Sequence, residues 1–322
     1  MMLKKLFFFL GFLQAVIGQQ RRVFIDTASC SHPRTFAAVE ESYFSAIRRA
    51  GLAIEALRPW AEGGAPITTF DGRIRNVFDL LFGAQHTRGN LLLVFSHLDR
   101  LPDLQYMGGD STTKRTKYDI QIHCDVNHIR PHNHAEEPNI HNWDSVQKRG
   151  VEDNSDILEL FDPWKPAIAV TCTVPPNDKK WDPDAPEVIA FNSRKLYLTA
   201  ALDGFPGNDV ALGGVKINQA SVQAAAKPRM LRWLFTHNWW FERLRVTQID
   251  LLDRLESTML HELTHATVGR LTTDLQAPNS YGWENCRRIQ SHRNAALFAL
   301  AVELINHYHY DVDAAGKLIN FE

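Results

Sequence analysis

Apolar residues recur at helical spacing in several stretches of this chain. Ala38, Tyr43, Ile47, Ala50, Ile54 and Leu57 fall on steps near three and four. They predict an amphipathic helix over Phe36 to Leu57 that Pro59 ends. Val77 to Phe82 predicts a shorter helix. Ile249, Leu252, Leu255, Met259 and Leu263 form a second apolar stripe, with Thr247 and Asp250 ahead of it as a capping pair and Gly269 after it as a stop. Asn294 to His307 reads as a last apolar helix. Arg21 to Asp26 reads as an entry strand, and the compact run Leu91 to Phe95 as a buried strand. Ile168 to Val174 and Val188 to Phe191 are further strand candidates.

Between these stretches, residues 99 to 187 are rich in Pro, Asp, Asn and His and hold few periodic segments. Loops of that length are uncommon in a compact domain and often shape a functional cleft. The expected class is α+β, with helices concentrated late, a loop-rich insertion in the middle, and Cys124 and Cys172 as candidate ties for it.

The first residues change the setting. Lys4 and Lys5 precede a short apolar run, Leu6 to Ile17, which ends at Gly18. This is the layout of a secretory signal peptide over residues 1–18. The run is shorter than the ~20 apolar residues that span a bilayer. A secreted, monomeric chain over residues 19–322 is expected, folded as a single domain, with no membrane association once the leader is removed. Net charge is -2 and no polybasic block occurs, so nothing points to nucleic acid. Four cysteines, Cys30, Cys124, Cys172 and Cys286, imply two disulfides in a secreted chain, with three pairings open.

The chemistry concentrates in His261-Glu262-Leu263-Thr264-His265. Residues four apart share a helix face, so both imidazoles can reach one ion. Zinc takes imidazole nitrogens at ~2.0–2.1 Å. Glu262 stands beside such an ion and can accept a proton from its water. Random placement of the chain's 14 histidines and its glutamates gives roughly 0.03 matches to this pattern, so context must decide. The context is a strong helical stripe that leaves the histidine edge on a neighbouring face. A catalytic zinc site needs a third protein ligand. Asp274, nine residues after His265, is the first candidate; Glu284 and Glu303 compete.

These residues resemble the aspzincin family, the deuterolysin-type metalloendopeptidases. Family members carry such a zinc helix and then a Gly-Thr-x-Asp-x-x-Tyr-Gly segment. Here Leu271-Thr272-Thr273-Asp274 is followed by Tyr281-Gly282. Leu271 stands where the family has Gly, and Tyr281 follows Asp274 by seven residues instead of three. The late helix resembles the family's closing helix, and Cys30 ahead of a helix resembles its opening. The resemblance implies a zincin-like fold, one Zn2+ held by His261, His265 and Asp274, and Glu262 as general base. It further implies Tyr281 as the donor to the oxyanion, and a protein or peptide substrate.

The rival reading is a secreted zinc-binding or zinc-scavenging protein, or an effector, on the same scaffold without useful proteolysis. The presence of Glu262 favours hydrolysis, since storage of zinc does not need it. His123, His128, His132, His134 and His141 crowd the middle region; irregular spacing favours a solvated polar loop over a second metal site. Trp233, Trp239 and Trp240 read as packing residues.

Overall fold

Near-continuous apolar runs build the centre of the fold. In the computed structural model, Arg22–Ile25 forms β1 and Asp119–His123 forms β3, paired in parallel with Val23 opposite Ile120 and Ile25 opposite Ile122. Val23, Phe24, Ile25, Ile120 and Ile122 are all fully buried, the pattern of strands covered on both faces. β2 (Gln105–Tyr106) joins β1 in parallel, and β8 (Glu187–Phe191) joins β3 in parallel. β7 (Ala169–Cys172) closes the sheet antiparallel to β8. The spatial order is β2-β1-β3-β8-β7. The structure describes residues 21–64, 71–83, 88–125, 127–131, 140–146, 149–152, 169–172, 187–191, 209–212, 215–218, 247–252, 255–268 and 282–321.

Helices cover the sheet. α1 (Pro33–Ala61) starts with Pro at its first turn, where a missing N–H costs nothing. It buries Val39, Tyr43, Ala46, Ala50, Ala53, Ile54 and Leu57. The expected stop at Pro59 is corrected: the helix runs on to Ala61. A proline in the last turn forfeits one hydrogen bond, and Glu62 N–H still caps Arg58 O at 2.9 Å. α2 (Gly72–Phe82) is opened by Asp71, whose carboxylate accepts from Arg73 N–H at 2.8 Å.

The run Leu91 to Phe95 is helix, not strand; it lies inside α3 (Arg88–Asp99). Burial explains the correction. Leu91, Val94, Phe95 and Leu98 are buried at i, i+3, i+4 and i+7, whereas Leu92 and Leu93 are exposed. A five-residue apolar run does not distinguish the two periods.

The late elements follow the expected pattern closely. A 3-10 turn at Asp250–Leu252 precedes α4 (Leu255–Val268); α5 (Trp283–Ile289) and α6 (Ala295–Tyr308) follow. Thr247 Oγ1 donates to Asp250 Oδ2 at 2.6 Å and accepts from Asp250 N–H at 3.3 Å, a reciprocal cap. Asp250 Oδ1 accepts from the Trp283 N–H at 2.6 Å, tying α5 to the start of α4. Gly316 (φ 74°) passes so close to Trp283 and Thr247 that any Cβ there would clash at 2.6–2.8 Å. α6 is buried from Ala295 to Ile305. A helix apolar all round belongs at the centre of a core. There Phe298 meets Phe78 and Phe82 edge-on, at ring separations of 5.4 and 5.7 Å.

The middle region is more ordered than its composition suggests. Besides β2, β3 and β7 it contributes β4 (Ile129–Pro131), β5 (Ile140–Asp144) and β6 (Arg149–Glu152), an antiparallel sheet. β9 (Asp209–Leu212) with β10 (Val215–Asn218), and β11 (Tyr310–Val312) with β12 (Leu318–Asn320), are hairpins. Among the described residues one of the two expected disulfides forms, Cys30–Cys124; of Cys172 only the backbone is described. Cys124 is therefore tied to the start of α1 and not to Cys172. Cys286 is buried in α5. No described helix is long and apolar enough to cross a membrane.

Candidate metal centre

α4 is helical because Leu255, Met259, Leu260, Leu263 and Ala266 give it a buried apolar face; each is fully buried. It packs on α1, on α6 and on the β7–β8 end of the sheet. That placement leaves the His261 and His265 edge facing away from the sheet-packed stripe. The two rings stand perpendicular, at 87°, with centroids 4.5 Å apart. Their Nε2 atoms approach to 3.0 Å. At that separation two imidazole nitrogens share either one proton or one cation. Two ligands each ~2.0–2.1 Å from a common ion must lie within ~4.2 Å of each other, and the pair meets this. Glu262 is buried between them in sequence, 4% exposed.

The helix is held in register by a buried charge network. Arg49 of α1 is fully buried and donates to Ser257 Oγ at 2.7 Å, Glu256 Oε2 at 3.0 Å and Glu303 Oε2 at 2.8 Å. Arg48 donates to the other Glu303 oxygen at 2.6 Å. A buried ion pair tolerates its desolvation only when its remaining hydrogen bonds are made, and here they are. α1, α4 and α6 are thereby locked together one turn ahead of His261. At the other end of α4, Arg21 donates to the carbonyl of Ala266, a cation on a helix C-terminus.

This network corrects one candidate. Glu303 is not a metal ligand, because both its oxygens serve the arginines. Glu284 is exposed on the first turn of α5. Among the described residues no third His, Cys, Asp or Glu joins His261 and His265 as a metal-binding group. Asp274 and Tyr281 lie outside the described residues, as do Gly269 and Trp233, Trp239 and Trp240.

Two residues near the centre escaped the sequence reading. Arg49 occupies the buried stripe of α1 between Ala46 and Ala53; a charge at such a position was the available signal. His97 of α3 is 1% exposed and its ring stacks on His292 at 4.9 Å and 18°. Burial pushes its pKa down to about 4, with His292, His265 and Arg293 acting in the same direction. It was hidden because its segment read as a strand. The ground beside His97 thus resists positive charge on that ring.

The histidine-rich stretch also departs from expectation. His123 and His128 are buried, at 5% and 8% exposure, and not solvated. His132 and His134 lie outside the described residues, and of His141 only the backbone, in β5, is described.

Comparison of the chain with family models, with curated proteins and with solved structures returned no match.

Proposed function

We propose that this chain is a secreted zinc-dependent endopeptidase on a zincin-like α+β scaffold, similar to the aspzincins. The observation that carries the reading is the 3.0 Å approach of His261 Nε2 and His265 Nε2 on one helix, with Glu262 between them. Asp274 is the proposed third ligand. A zinc ion held there supplies a Lewis acid for the scissile carbonyl and lowers the pKa of its water. Glu262 takes the proton of the attacking water and delivers it to the leaving amine. Tyr281 donates to the oxyanion.

The sheet supports a peptide substrate. β7 is an edge strand beside α4, and among the described residues only β8 pairs with it. An extended peptide adding to that edge gains main-chain hydrogen bonds and lies along the metal helix. Folded substrates would bind poorly, since their backbone groups are already paired.

The test is cleavage of denatured casein with and without a chelator. Chelation abolishes cleavage and added zinc restores it. Zinc bound tightly by an intact chain that cleaves nothing would favour the zinc-scavenging reading.

A further inference from the structure

A second pair of histidines meets where β1 and β3 end. These strands are parallel neighbours, so the residues leaving their carboxyl ends emerge side by side. Asp26 follows β1 and His123 is the last residue of β3. Cys30 and Cys124, bonded to each other, pin the two loops together directly beyond them. Carboxyl ends of parallel strands are a recurrent place for ligands, because loops diverge there and leave room.

The side chains at this corner are built, not incidental. Asp26 Oδ2 accepts from the Ser29 N–H at 2.7 Å, and Ser29 Oγ accepts from the Cys124 N–H at 3.1 Å. That fixes the carboxylate. His123 Nδ1 lies 3.6 Å from the same Oδ2. This is longer than a hydrogen bond, but it aims Nδ1 at an anion and so favours the proton on Nδ1. The Nε2 of His123 is then the acceptor. It is buried, and no described group hydrogen-bonds to it. His128 brings a second ring to 4.4 Å, tilted by 37°.

A buried imidazole nitrogen without a partner costs on the order of 1–3 kcal/mol. Among the described residues no side-chain donor fills it. A cation shared between two imidazoles would satisfy it. The carboxylate behind Nδ1 has the orientation that outer-sphere partners of metal-bound histidines adopt. Asp26 lies against Nδ1, whereas the nitrogen without a described partner is Nε2; Asp26 therefore orients and the histidines bind. Imidazole donors select the borderline transition metals.

We propose that His123 and His128 form a second metal site for a borderline divalent ion, Zn2+ or Cu2+, with Asp26 as the positioning residue for His123. The site completes its coordination with water. Burial, and next the adjacent His128, push the pKa of His123 down to about 4 against the pull of Asp26. The site is separate from the α4 centre, and the proposal stands or falls independently of the endopeptidase reading.

The test is zinc stoichiometry of the full chain by elemental analysis after equilibrium dialysis. The parent holds two ions per chain. His261→Ala combined with His265→Ala holds one. Adding His123→Asn or His128→Asn to that background removes the remaining ion. Asp26→Asn keeps the stoichiometry but weakens this ion ~10- to 100-fold. If the His261→Ala, His265→Ala chain holds no zinc, the second site does not exist and the α4 centre stands alone. If that chain keeps its ion after His123→Asn, the ion sits elsewhere and the assignment is wrong. Should the His123 and His128 variants misfold, Cu2+ added to the His261→Ala, His265→Ala chain decides. Nitrogen splittings from two imidazoles in its electron paramagnetic resonance spectrum support the site. A spectrum without nitrogen couplings overturns it.

Discussion

Two of the histidine pairs among the described residues, His261 with His265 and His123 with His128, are assembled in different ways. His261 and His265 meet because a helix brings residues four apart onto one face. Their proximity needs no knowledge of the rest of the fold. His123 and His128 meet because a strand ends, a turn follows, and a disulfide closes the corner. Nothing in the five-residue spacing announces it. The first pair has Glu262 next to it and so has chemistry to perform. The second has only the Asp26 carboxylate, which can orient a ring but has no described path to a reacting group. A helical pair is written in the sequence; a pair at a strand end is written in the topology.

The largest expected effect separates chemistry from binding. Glu262→Gln should lower kcat/KM for a peptide substrate by ~10²–10⁴-fold while zinc content stays at the parental level. Parental cleavage by that variant would remove the general base from the account.

Next comes the support of the helical pair. Arg49→Met removes the buried partner of Glu256 and Ser257 and one of the two arginines on Glu303. Loss of one member of a buried ion pair costs about 3–5 kcal/mol, readable as a shift of the urea midpoint at constant slope. A change under ~1 kcal/mol would mean that α4 is held by packing alone.

The strand-end pair rests instead on the cross-link. Cys30 and Cys124 close a loop of 94 residues, and removing such a bridge with a Cys30→Ser, Cys124→Ser chain costs about 2–4 kcal/mol. The same double variant should loosen the His123 corner more than the α4 centre. Hydrogen exchange should show protection lost first at residues 119–125. Equal loss at residues 255–268 would deny that the two corners are independent.

The smallest effect is a pH dependence. His97 titrates at about 4 when folded and at about 6.5 when unfolded. Between these values the unfolded chain binds more protons, so stability falls as pH is lowered through that window. For the chelated protein His97→Phe should flatten this slope by about 1–3 kcal/mol between pH 6.5 and 4. An unchanged slope would place the titration elsewhere.

The same contrast governs what the sequence made legible. α1, α4 and α6, the capping pair Thr247–Asp250 and the apolar stripe of α4 could all be read, because each depends on local periodicity or on side chains three to four residues apart. Even there, the five apolar residues of α3 read as a strand, since their burial pattern needs the surrounding residues to show a helical period. β3 was not foreseen, though Ile120 and Ile122 sit at the centre of the sheet. It is short, and its partners are β1, about a hundred residues earlier, and β8, about seventy later. The Arg49 clamp joins α1 to residues more than two hundred positions away, so only an isolated charge on an apolar face hinted at it. Of the site itself, spacing gave the two histidines and the glutamate. Which pair of cysteines bridges, and that Glu303 is consumed by arginines, required the fold.

The measurement closest to the central claim is anomalous diffraction at the zinc edge from crystals grown with zinc. The account predicts a peak between His261 Nε2 and His265 Nε2, ~2.0–2.1 Å from each. Electron density showing the two nitrogens joined by a hydrogen bond, with no anomalous peak between them, would contradict it.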